Sequence, residues 1–142
     1  MPAYSAKALW EKLGLREGMT VVVRNLTGHP IPEYWKSAPL SLTVADASFP
    51  GIAFVHLFVD RRSDLAAEIG TILAGLAPDG MVWISWPKKA AKVPTDITED
   101  RIRDAVLSLG LVDVKVCSVS DELWSGLKLV IRRENRSKAG AR

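Results

Sequence analysis

Apolar positions recur along this chain in two rhythms, a helical one near 3.6 residues and short continuous runs rich in β-branched residues. Residues 6–13 predict a short helix capped by Ser5, with Leu9, Trp10 and Leu13 on one face and Gly14 as its stop. Residues 19–24 (MTVVVR) read as a buried strand. Residues 25–32 (NLTGHPIP) form a loop, Pro32 opens a short helix through Trp35 and Lys36, and residues 41–45 (SLTVA) give a second strand. After a turn at Phe49-Pro50-Gly51, residues 52–59 (IAFVHLFV) are apolar on both faces, the pattern of a strand inside a parallel sheet.

A helix starting at Ser63 or Asp64 and reaching about Leu76 carries the stripe Leu65, Ile69, Ile72, Leu73 and Leu76. Pro78-Asp79-Gly80 is a turn, and residues 81–86 (MVWISW) are a fourth strand. A polar loop leads to a helix capped by Thr98, with Glu99 and Asp100 in its first turn, Ile102, Val106 and Leu109 facing inward, and Gly110 at its end. Residues 112–119 are a fifth strand, residues 121–126 a loop with Trp124, and residues 127–132 a sixth strand. No helix separates the last two strands, so they pair antiparallel. The expected fold class is α/β: a doubly wound, mostly parallel, Rossmann-like sheet with a C-terminal antiparallel hairpin, in three α/β/α layers. Residues 1–133 are expected to form a single domain, and residues 134–142 a basic flexible tail.

Charge adds little to this picture. The net charge is +3, but residues 132–142 hold five basic residues and one acid, so the preceding 131 residues carry −1. A basic tail on a near-neutral body does not make a nucleic-acid-binding face, and nucleic acid is not an expected partner. The one cysteine, Cys117, lies in an apolar strand and reads as an inert thiol. No apolar run approaches the roughly 20 residues of a membrane span. The N-terminus lacks the basic-then-apolar order of a secretory signal, so a cytoplasmic location is the expectation.

The helix followed by LAPDGMVWISW, and the helix ending in LGLVDVKVCSV before a final hairpin, resemble class I S-adenosylmethionine-dependent methyltransferases over residues 18–132, reduced in size. Together SAKALWEKLGL, HLFVDRRSDL, ISWPKKA, TDIT, GLVDVKVC and WSGLKLVIRR resemble, over nearly the whole chain, a small bacterial family of unknown function. That resemblance implies a fold without an activity. The methyltransferases carry a glycine-rich loop, roughly GxGxG, after the first strand. The matching segment here, from Arg24 to Pro30, has one glycine, Gly28, and places bulky Leu26 and ring-bearing Pro30 where close backbone approach would be needed. Those enzymes also hold the ribose with an acid after the second strand. Asp46 stands nearest that position, and the chain is short of elements between Ala45 and Ile52. No cofactor is therefore expected in the usual manner; S-adenosylmethionine is the one the resemblance would supply.

In open α/β sheets, ligands sit outside the carboxyl ends of the strands. Arg61, Pro87 and Lys89 fall at that edge, together with the candidate ligand-binding residues Asn25, Asp46, Asp60, Trp86 and Lys88. Trp86 with Lys88 and Lys89 can stack a planar group and hold an anion, aided by backbone N–H groups at the start of the Thr98 helix. The plain alternative packs Trp86 in the core and leaves the lysines solvated. His56, inside an apolar strand, reads as a satisfied core histidine, and His29 as a solvated loop residue. Trp124-Ser125-Gly126 reads as a turn with a packed Trp. Histidine and cysteine spacing gives no metal site, and no nucleophile motif assigns a catalytic residue. Two functions stay open. One is a non-catalytic methyltransferase-like module that binds a protein or small ligand. The other is an enzyme that binds S-adenosylmethionine or another nucleotide unconventionally, through Asn25, Asp46, Trp86 and Lys88. Lys128, Arg132 and Arg133 on the last strand discourage edge pairing, so a monomer or weak dimer is expected.

Overall fold

The computed structural model describes residues 8–45 and 50–135. In chain order it contains α1 (Leu9–Leu13), β1 (Thr20–Asn25), β2 (Thr43–Ala45), β3 (Ile52–Phe58), α2 (Arg62–Gly75), β4 (Leu76–Pro87), α3 (Glu99–Leu107), β5 (Leu111–Ser118) and β6 (Trp124–Ile131). One-turn 3₁₀ helices lie at Tyr34–Lys36, Lys89–Ala91 and Arg133–Asn135. The six strands form one sheet in the order β2-β1-β3-β4-β6-β5. The first four are mutually parallel, and β6 runs antiparallel to both β4 and β5. No helix among the described residues is long and apolar enough to cross a membrane.

Burial explains why the central strands are continuously apolar. Val55, Leu57 and Val59 of β3, with Val82, Ile84 and Trp86 of β4, face a core shared with Leu65, Ile69 and Ile72 of α2 and Ile102 and Val106 of α3. The alternate residues Phe54 and Trp83 face a second core under α1 and the segment around Tyr34. The β1–β2 connection runs one way across the sheet and covers one face. The β3–α2–β4 and β4–α3–β5 connections run the other way and cover the opposite face, as crossovers of one hand require. The fold is α/β, doubly wound and Rossmann-like, with the antiparallel strands at its C-terminal end. β6 does more than close a hairpin with β5: it inserts between β4 and β5.

Four details depart from the sequence pattern. β4 starts at Leu76, directly after α2, and the predicted turn lies within it as an irregularity. Ile52 pairs with Leu76 but Phe54 with Met81, so β4 carries three extra residues within 77–80. Leu109 is exposed, because α3 ends at Leu107 before its stripe returns to the core. Trp124 opens β6 instead of sitting in a loop, and it is buried. α2 lacks a side-chain cap of its own, and Asp96 accepts from the Arg62 N–H at 2.7 Å in its place. The Ser5 cap, residues 6 and 7, Asp46, Phe49 and the tail from residue 136 lie outside the described residues.

Gly80 marks where the irregularity presses on the sheet. A Cβ there would lie 2.7 Å from the Ile52 carbonyl oxygen and 2.7 Å from a Leu76 methyl. The backbone partner cannot rotate away, so Gly80→Ala should lower the unfolding free energy by about 1–3 kcal/mol in urea denaturation. An unchanged midpoint would show that β4 yields freely at this point.

Candidate functional site

The winding direction reverses between β1 and β3, and the carboxyl ends of these strands form the switch point where such folds place ligands. Here the loop after β1 is bonded to itself. The Asn25 Oδ1 accepts from the Thr27 N–H at 3.1 Å and from its hydroxyl at 2.7 Å, while the Asn25 amide donates to the His29 carbonyl at 2.8 Å. The Leu26 N–H continues the β1–β3 pairing by donating to the Phe58 carbonyl at 3.0 Å, and the Leu26 side chain packs on the core. Gly28 has φ +80°, but a Cβ there would meet nothing within 4 Å. Its positive φ is what the turn requires.

The far end of the loop is pinned by Trp124. Its indole N–H donates to the Pro30 carbonyl at 2.9 Å, and its ring meets Phe58 edge-on with centroids 5.1 Å apart. His29 lies edge-on to Trp124, with its Nε2 3.7 Å from Asp60 Oδ2. Thus Asn25 and Asp60 do meet at the switch point, but Asn25 spends its side chain on its own turn and Asp60 faces His29. Asp46 lies outside the described residues.

Trp86 and Lys88 line a neighbouring cleft of about 540 Å³ with Pro87, Lys89, Val93, Thr95, Ile97, Thr98, Glu99 and Ser125. The end of β4 and the start of α3 therefore do share one hollow. Inside it the plain and functional readings divide. Trp86 is only 8% exposed and belongs to the core. The Lys88 ammonium donates to Ser118 Oγ at 2.7 Å, and Glu99 is ion-paired to Arg103. Lys89 is exposed. Thr95 donates to the Asp60 carbonyl at 2.8 Å, which ties the rim of the cleft to the switch point.

His56 is the polar feature whose partners the sequence did not reveal. It is buried between the Tyr34 hydroxyl, 2.6 Å from Nδ1, and the Ser85 hydroxyl, 2.7 Å from Nε2, and Phe58 stacks on its ring at 4.1 Å. The partners stand 22 and 29 residues away, so no local motif announces them. Neither His56 nor Ser85 has any solvent access, which makes this a satisfied core network and not a reacting triad. Cys117 is half-buried, and burial pushes its thiol up, away from the reactive thiolate. No cluster of three or more His, Cys, Asp or Glu side chains among the described residues is placed to hold a metal.

Comparison with solved structures gives the fold its class. A ribosomal-protein methylase from Lactobacillus delbrueckii subsp. bulgaricus superposes with TM-score 0.53 at 11% identity, over 88% of this chain and 75% of its own. The magnesium protoporphyrin IX methyltransferase of Synechocystis PCC 6803, solved with bound S-adenosylmethionine, gives TM-score 0.55 at 11% identity, over 87% and 74%. The glycopeptide N-methyltransferase MtfA in complex with sinefungin gives 0.51 at 11% identity, over 86% and 83%. No family model matches the sequence, and no curated protein does. The chain thus has the Rossmann-like fold of the class I S-adenosylmethionine-dependent methyltransferases. At the switch point of this fold, the loop after β1 carries one glycine and is held by the Asn25 turn, the packing of Leu26 and the Trp124–Pro30 hydrogen bond.

Burial lowers the pKa of His56 from 6.5 to about 3. As pH falls from 6.5 towards that value, the unfolded chain gains a proton on this residue that the folded protein does not. Stability present above pH 6.5 is then lost at up to about 1.4 kcal/mol per pH unit. His56→Gln should flatten this part of the profile relative to the wild type in urea titrations; parallel profiles would contradict the assignment.

Proposed function

We propose that this protein is a methyltransferase-fold module that works by binding and not by methyl transfer, and that its ligand is a small molecule with an apolar body and an acidic group. The observation that supports the reading is the self-bonded loop after β1 at the switch point. For S-adenosylmethionine to lie there, the 25–30 loop would have to give up the Asn25 turn, the Leu26 packing and the Trp124 hydrogen bond together. A binding role then shifts to the cleft beside β4, whose volume suits a small ligand. Its ionisable groups favour holding over proton transfer: Glu99 and Lys88 are already engaged, and Lys89 supplies a cation.

The test is direct. S-adenosylmethionine at a hundredfold excess over its Kd would add about 2.7 kcal/mol and raise the melting midpoint by several degrees. We expect no shift with S-adenosylmethionine, and with aromatic carboxylates we expect amide chemical-shift changes confined to residues 95–99 and 125. A shift with S-adenosylmethionine that disappears in Asn25→Ala would overturn the proposal in favour of a cofactor-binding enzyme.

A further inference from the structure

At the opposite end of the strands, on the α1 face, four cations gather. Lys115 of β5 and Lys128 of β6 are directly opposed in register, an arrangement that is destabilising for like charges. The Lys115 ammonium is fixed at 3.1 Å from the Lys12 carbonyl at the end of α1, which brings Lys12 alongside. Arg16 and Lys128 line one cleft of about 510 Å³, with Trp10, Glu11, Gly14, Leu15 and Met81 as its remaining walls. None of the four cations forms an ion pair among the described residues, and Glu11 turns its carboxylate to the Ala8 N–H. Burial, then Lys115 and Arg16, push the Lys128 ammonium below its ordinary value, so no neighbouring carboxylate relieves it. This concentration of charge is not a general property of the molecule, because residues 1–131 carry −1.

Repulsion of this kind is retained at a cost in the free protein and relieved by an anion. The Arg16 guanidinium presents a planar fork suited to paired oxygens, and Lys128 a point charge beside it. Trp10 is half-buried in the same wall and offers an aromatic surface. A multiply charged, compact anion matches Arg16 and Lys128 in the cleft, with Lys115 opposite Lys128, better than a single carboxylate does. We propose that the cleft between α1 and the start of β4 binds a phosphate-bearing small molecule, its phosphates held by Arg16 and Lys128 and its body laid on Trp10. This site is separate from the cleft beside Trp86 and does not depend on the role assigned to that cleft.

The experiment is a thermal-shift and calorimetric series on the full chain with inorganic phosphate, pyrophosphate, ATP and adenosine. Saturable stabilisation by pyrophosphate and ATP is expected, stronger for ATP if Trp10 takes the base, with none from adenosine alone. Lys128→Gln and Arg16→Gln should each weaken the binding by about tenfold or more, the loss of one charge-assisted hydrogen bond. Lys89→Gln in the other cleft should leave it unchanged. Lys128→Gln should also raise the melting midpoint of the free protein, which a merely solvated lysine would not do. Stabilisation that survives both substitutions, an absence of stabilisation by either phosphate, or binding shown only by a long polyanion such as duplex DNA, would overturn the proposal.

Discussion

The indole N–H of Trp83 donates to the Leu13 carbonyl at 2.9 Å, joining the middle of the sheet to the end of α1 across 70 residues of chain. Its importance follows from an imbalance between the two faces. A central parallel strand must be covered on both sides. Among the described residues, one side has α2 and α3, but the other has a five-residue helix, a single 3₁₀ turn and irregular chain. Irregular backbone leaves carbonyls unsatisfied over an apolar surface, and a buried unsatisfied group is costly. Aromatic side chains with polar tips resolve both demands. Trp83 reaches Leu13, Trp124 reaches Pro30, and Tyr34 meets His56 from above. Each fills space as a helix would and also satisfies a polar group.

The same economy accounts for the state of the switch point. In a fold that leaves this crevice open, the loop after β1 stays clear of the strand ends. Here the loop after β1 contributes cover for the apolar sheet. Leu26 packs on one core, and Ile31 joins another with Phe58, Val119 and Trp124. Two hollows lie at the margins of the sheet. One margin is the hollow between β4 and α3, and the other is the charged cleft beneath α1.

Much of the architecture was legible in the chain because burial writes itself as periodicity. The runs at β3 and β4 and the stripe of α2 needed no tertiary information. Where the reading failed, a distant partner decided. The turn-forming Pro78-Asp79-Gly80 stayed within β4 because Leu76 pairs with Ile52 ahead of it. Trp124 became a strand residue because Pro87 supplies its partner. Placement of Trp86 and Lys88 in one hollow with the start of α3 was legible from topology, since both end at the same sheet edge. The fate of the Lys88 ammonium was not, as Ser118 lies 30 residues away. The cations beneath α1 were invisible for the same reason: Lys115 and Lys128 become neighbours only through the β5–β6 register.

The position of β6 has a consequence for how the molecule comes into being. The strand made last stands between two made earlier, so β5 has no partner in the sheet and β4 keeps an open edge until residues 124–131 have left the ribosome. Until then α3 can dock but cannot carry β5 into place. A growing chain therefore holds an adhesive, apolar edge from the making of β4 to the making of β6, and in that interval it is most open to capture by a chaperone or by another nascent chain.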